Sequence, residues 1–307
     1  MASPGPGNRR AAVVKPREDR LVLGIGLVVA AVLLFAILDS SAKWLALAGI
    51  PPHEVIFVRY GTQFVFMLIW LVPRYGGEAF RTANLKLEVF RALGLMGTTA
   101  MNFIALAYLP LTITSAMLFA TPIVTSILSI PMLGEKIGWR RWVAIVIGFG
   151  GVLIIIQPGG AEFHPAMLLL LVMIVCYAFY NIFNRKLAGV DSPIIQQLYS
   201  AMIPTAIFLP FIFLGWQWPT NVLDWAVFLS LGLGGLAGHI MLSVAYRYAE
   251  ASVLSPFVYP QVIFASVLSW LVFAQPPGLS IFIGAPIVLG AGFYIWWRER
   301  QVAATRR

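Results

Sequence analysis

Ten apolar stretches, separated by short connections, fill most of this 307-residue chain. They lie near 21–45, 54–73, 87–108, 111–132, 140–157, 165–186, 193–215, 222–247, 251–273 and 279–297. A helix needs roughly 20 apolar residues to cross a hydrocarbon core about 30 Å thick. In lipid every backbone polar group must find its partner internally, so runs of this length are read as membrane-spanning helices. With 60% hydrophobic and only 11% charged residues, the composition is far from that of a soluble domain. The expected fold is an all-α integral membrane protein of ten transmembrane helices, with no room left for a soluble catalytic domain.

The lysines and arginines alternate from one connection to the next. They cluster in the N-terminal tail (Arg9, Arg10, Lys15, Arg17, Arg20) and in the second connection (Arg74, Arg81, Lys86, Arg91). The fourth connection holds Lys136, Arg140 and Arg141, the sixth Arg185 and Lys186, and the eighth Arg247. The C-terminal tail adds Arg298, Arg300, Arg306 and Arg307. The odd connections carry almost none, and of all 21 basic residues only Lys43 and Arg59 depart from the pattern. Cytoplasmic loops carry the excess of Lys and Arg, which places both termini in the cytoplasm. The expected location is the cell inner (plasma) membrane, with a eukaryotic organelle carrier the less favoured alternative.

The net charge of +9 therefore belongs to membrane exits, where it orients the chain against anionic headgroups. It is no footprint for nucleic acid. The first apolar run is too long for a signal-peptide core and follows about twenty polar residues, so cleavage is not expected. A single cysteine, Cys176, leaves no intrachain disulfide and no metal pair; it reads as a small packing residue.

The two halves repeat. Ala107-Tyr108 falls on Ala245-Tyr246 at an offset of 138 residues, which also sets Phe119 on Phe257 and Pro122 on Pro260. At an offset of 142, Asp39, Lys43 and Leu45 fall on Asn181, Arg185 and Leu187. The order of matches across two five-span halves marks an internal repeat. The expected organisation is a cytoplasmic tail (1–20), a first five-helix repeat (21–157), a second (164–297) and a C-terminal tail (298–307). Five is odd, so the halves must be inverted in the membrane. Inverted repeats support alternating access in transporters. Pro122 and Pro260 each remove a helical hydrogen bond, which makes them either hinges or static kinks.

From Ala105-Leu-Ala-Tyr-Leu-Pro through Thr121-Pro122 to Leu133-Gly134-Glu135, then Trp142 and the run Gly148–Gly151, the chain resembles the drug/metabolite transporter superfamily in its ten-span EamA-type branch. The second copy follows from Ala245-Tyr246 to Pro260, then departs to Phe273-Ala274-Gln275-Pro276. Asp39-x-x-x-Lys43-Trp44, with Glu54 and Arg59, looks like the subgroup of bacterial riboflavin and S-adenosylmethionine uptake proteins. The resemblance implies a secondary carrier without ATP hydrolysis. It also implies a central cavity lined by spans 1–4 and 6–9, with spans 5 and 10 peripheral.

Charges inside a bilayer cost at least a few kcal/mol each and are candidates for function by default. Asp39 and Lys43, four apart, share a helix face. Arg59 lies at similar depth on the next span, so Asp39 could pair with either. The group reads as a substrate-binding or gating cluster, or as a structural ion pair with Lys43 reaching for the interface. Tyr177, Tyr180, Asn181 and Asn184 form one stripe of span 6, with tyrosine rings able to stack on a planar solute. Ser255 and Tyr259 share a face of span 9, Thr98 and Asn102 one of span 3, and Arg59 and Gln63 one of span 2; Gln261 points away from Ser255 and Tyr259. His239 is the one histidine within a span, either a proton relay or a packing residue.

Gly232-x-Gly234-x-x-Ala237 copies the dinucleotide fingerprint as a string, but no strand precedes it. Gly234-x-x-x-Gly238 is better read as a close helix contact, and Gly148, Gly150 and Gly151 likewise suit tight packing. No catalytic residue, cofactor or metal site is expected. The leading function is a secondary active transporter moving a small organic metabolite, with proton coupling open and either a monomer or a homodimer expected. The alternatives are a membrane-embedded enzyme acting on lipid-linked substrates and a passive channel. The enzyme would need histidines near carboxylates, whereas His53, His164 and His239 are scattered.

Overall fold

A computed structural model describes residues 18–134, 138–160, 163–187, 190–213, 215–248 and 254–305. It is an all-helical bundle. Eleven helices appear among the described residues: α1 (Glu18–Leu47), α2 (Pro52–Tyr75), α3 (Leu85–Leu106), α4 (Leu111–Leu118), α5 (Thr121–Leu133), α6 (Trp139–Ile156), α7 (Met167–Leu187), α8 (Pro193–Phe208), α9 (Val222–Tyr248), α10 (Pro260–Phe273) and α11 (Leu279–Thr305). Among the described residues nine spans are long and apolar enough to cross a membrane, with α4 and α5 together making one; α10 is a shorter apolar helix. The 3-10 turn Ser255–Val258 precedes α10.

The expected kinks at Pro122 and Pro260 are full breaks. α4 stops at Leu118 and α5 restarts at Thr121, with Pro122 in its first turn. α10 likewise starts on Pro260. Proline is tolerated in a first helical turn because its missing N–H would have no partner there. The Leu118 carbonyl, freed by the first break, accepts the Thr121 hydroxyl at 2.5 Å. Both broken spans also end alike: Gly134 closes α5 and Ala274 closes α10, each in the left-handed region (φ 69° and 53°).

The packing is symmetric under exchange of the repeats. α1 lies on α9 as α3 lies on α7, and α2 on α9 as α3 on α8. α5 meets α7 as α1 meets α10, while α2–α8, α4–α10 and α6–α11 pair each span with its own counterpart. The fold is thus two inverted five-helix repeats. The outer surface carries large apolar side chains such as Ile69, Val146, Leu271 and Phe282, each more than 60% exposed. Such an apolar surface fits a lipid environment rather than water.

α2 and α9 touch backbone to backbone. A Cβ on Gly232 would lie 1.7 Å from Thr62 Oγ1, 2.7 Å from Gln63 N and 2.8 Å from Arg59 O. Gly234, expected at a helix contact, faces open space, whereas Gly238 packs on the Phe35 ring. On α6, Gly148 and Gly151 are at close contacts and Gly150 is not. Gly232→Ala is therefore expected to destabilise the protein by about 3 kcal/mol, the upper end for overpacking, while Gly234→Ala stays near neutral. Thermal unfolding of the two variants in detergent checks this; equal midpoints would refute the contact.

Candidate functional site

A small cavity, about 100 Å³, lies where the two repeats meet. Asp39 reaches it from α1, Arg59 from α2, and Thr98, Thr99 and Asn102 from α3. Leu118 enters from the end of α4, Tyr177 and Met173 from α7, His239 from α9 and Gln261 from α10. Among the described residues, α6, α8 and α11 contribute nothing to the lining. Spans 5 and 10 are peripheral to the cavity, as the resemblance implied, and span 7 also stands back from it.

The polar groups are organised rather than scattered. Asn102 Nδ2 donates to Asp39 Oδ1 at 2.9 Å. Arg59 donates to Thr99 Oγ1, which also shares a 2.7 Å hydrogen bond with the Tyr60 hydroxyl. The Arg59 guanidinium lies 5.0 Å from the Tyr60 ring centre and 5.5 Å from that of Phe103. Two buried atoms here have no protein partner, Arg59 Nε and Asn102 Oδ1. Aromatic surface comes from Tyr177, Phe103 and the Phe35–His239 pair, whose rings are 5.0 Å apart. The cavity therefore offers an anion, a cation, a spare acceptor and ring faces within one enclosure.

The remaining sequence candidates sit elsewhere. Lys43 shares a helix face with Asp39, yet its ammonium turns away to donate to the Leu109 carbonyl at 2.6 Å, near the Phe273 ring. Gln63 makes a long amide contact with Gln197, 3.5 Å, across α2 and α8. Tyr180 stacks on Tyr177 at 5.7 Å but faces Arg91. Asn181 is partly buried on α7 outside the lining. Tyr259 packs edge-on against Phe119 at 5.2 Å, so the two helix breaks touch each other beside the cavity. The side chain of Ser255 lies outside the described residues, as does the Glu135-Lys136 turn. Gln261, expected to point away, lines the cavity.

Polar contacts join the helices at both ends of the bundle. At the far end, where α1 finishes, Trp44 Nε1 donates to Asp224 Oδ1 at 2.7 Å, joining α1 to α9. Glu54 accepts the Gln217 backbone N–H at 2.9 Å. At the near end, where α1 begins, the tie is Arg91, which belongs to α3 and is 2% exposed rather than part of a connection. It donates to Asn184 on α7, and to the Gln196 carbonyl and Ser200 hydroxyl on α8, the last two at 2.7 Å. Glu88 sits 3.6 Å away with no exposed surface. The α1–α9 tie and the α3–α7 tie are counterparts under exchange of the repeats.

Sequence comparison bears on what this geometry does. The sequence model of the EamA-like transporter family matches residues 22–157 and 164–297. The S-adenosylmethionine uptake transporter of Rickettsia prowazekii is 28% identical over 269 residues, 87% of this chain and 90% of its own. The riboflavin transporter of Vibrio cholerae is 30% identical over 281 residues, covering 88% and 94%. One solved crystal structure, 18% identical, covers 86% of this chain and 95% of its own at a TM-score of 0.55, which supports the fold.

Proposed function

The chain belongs to the EamA-like transporter family, and on that premise we propose that it takes up a heteroaromatic metabolite across the cytoplasmic membrane by alternating access. It is a multi-pass membrane transporter, and the residues at its centre suit a nucleoside- or flavin-sized solute. The observation that carries this reading is the cavity itself. Asp39, Arg59 and Asn102 meet there under ring surfaces, with Arg59 Nε and Asn102 Oδ1 still unpartnered. A planar ring can lie against Tyr177 and Phe103, and a charged or zwitterionic tail can use the carboxylate and guanidinium. Uptake, rather than export, follows the name of the Rickettsia prowazekii relative.

Size argues for a conformational cycle. Ligand sites usually enclose roughly 300–1,000 Å³, so a cavity of about 100 Å³ must widen to admit such a solute. Parting one end tie while holding the other would open the cavity to one side. The breaks beside Pro122 and Pro260, in contact through Phe119 and Tyr259, are the positions at which each half can bend. The near end, with its Arg140, Arg185, Lys186 and Arg247, would face the cytoplasm.

Purified protein reconstituted in vesicles is expected to show saturable counterflow of S-adenosylmethionine or riboflavin. Adenosine and neutral aliphatic amino acids should compete weakly. Flux that rises linearly with solute concentration would instead identify a channel. Saturable exchange of amino acids with no effect of either heteroaromatic solute would overturn the substrate class.

A further inference from the structure

α6 and α11 are pressed together over only part of their length. A Cβ on Gly151 would meet Gly284 O at 3.0 Å, and one on Gly284 would meet Gly151 O at 2.8 Å. Towards the near end the helices part around an apolar crevice of about 440 Å³. Its walls include Val143, Ile147 and Gly290, and its mouth carries Trp139, Arg140 and Tyr294. Trp139 is 71% exposed, and the Arg140 guanidinium lies 5.6 Å from its ring centre.

Depth and charge together say what fits there. Ile147 is eight residues from Trp139, where α6 begins, and Gly290 is eight from Arg298, where the apolar part of α11 ends, so both lie about 12 Å beneath those levels at 1.5 Å per residue. The crevice therefore runs from headgroup level into the hydrocarbon. Its cation and aromatic rings sit at the top, where interfacial arginine, tryptophan and tyrosine belong; its apolar walls sit beneath. A second copy of the chain would bring a convex apolar helix to a concave crevice. A flexible acyl chain below a phosphate matches both the concavity and the charge.

We propose that the α6–α11 crevice binds one anionic phospholipid, with its phosphate on Arg140 and an acyl chain along Val143, Ile147 and Gly290. Basic pockets between spans on the cytoplasmic side are suited to such headgroups. The site is separate from the central cavity and does not depend on which solute is carried.

Native mass spectrometry of the full chain, with equal phosphatidylglycerol and phosphatidylcholine, tests it. The wild-type protein should retain phosphatidylglycerol preferentially. Arg140→Gln should lower that preference about tenfold, the scale of one charge-assisted hydrogen bond. Gly290→Leu should obstruct the acyl path in the crevice and remove the preference for phosphatidylglycerol. A Cβ at Gly290 meets nothing within 4 Å, and leucine is the better helix former, so this variant should unfold no earlier in lipid-free detergent. Gly150→Leu, also facing open space but outside the crevice, should bind lipid like wild type. No headgroup preference in the wild type, an unchanged preference in Arg140→Gln, or a wild-type preference in Gly290→Leu would each overturn the proposal. So would a dimer that Gly290→Leu converts to monomer, which would assign the crevice to a second copy.

Discussion

Arg91→Met is expected to cost about 3–5 kcal/mol of stability, the usual penalty for removing one partner of a buried ion pair. Arg91 and Glu88 are 2% and 0% exposed, and neither Glu88 carboxylate oxygen has a hydrogen-bond partner. Without the guanidinium 3.6 Å away, that carboxylate would be a buried charge that has lost its cation. Arg91 also joins α3 to α7 and α8 through Asn184, the Gln196 carbonyl and Ser200, so the loss spreads across the two repeats. The double variant Glu88→Gln/Arg91→Met should regain most of the deficit, because a buried pair replaced by neutral groups is often nearly neutral overall. Unfolding of the four proteins in detergent closes the cycle and isolates the coupling. A double variant as unstable as Arg91→Met would show that the α7 and α8 contacts alone carry the effect.

The network around Arg91 marks the boundary of what the sequence could show. Span positions, the repeat and the side bearing basic residues all follow from local hydropathy and charge, and these survive any detail of packing. Arg91 looked like a connection residue because it follows Arg81 and Lys86 closely. Its burial depends on α7 and α8, about a hundred residues away in the chain. The i,i+3 spacing of Glu88 and Arg91 in an otherwise apolar run was the one local sign. The face shared by Ser255 and Tyr259 meets a different limit. A rotation of 100° per residue holds only within one helix, and the turn Ser255–Val258 resets the phase before α10 begins. The same periodicity rightly aligned Asp39 with Lys43. It could not say that a four-carbon stem would carry the ammonium off to Leu109.

That divergence yields the sharpest functional test. Asp39→Asn is nearly isosteric and leaves the cavity shape intact, so it should fold normally. Its counterflow at low solute should fall by about 10- to 100-fold, since a hydrogen bond to a charged group is worth about 1.5–3 kcal/mol and each 1.4 kcal/mol is a factor of ten. The loss should lie in KM, because the carboxylate is assigned to the solute. Lys43→Met should leave KM unchanged, for Lys43 faces the Leu109 carbonyl and the Phe273 ring instead of the cavity. Any effect there should be on maximal rate, through weaker holding of α1 against the segment after α3. If the two variants raise KM alike, the residues act as one cluster and the separation seen here has no functional meaning. If neither does, Asp39 is only a partner for Asn102, and solute recognition must rest on Arg59 and the aromatic walls.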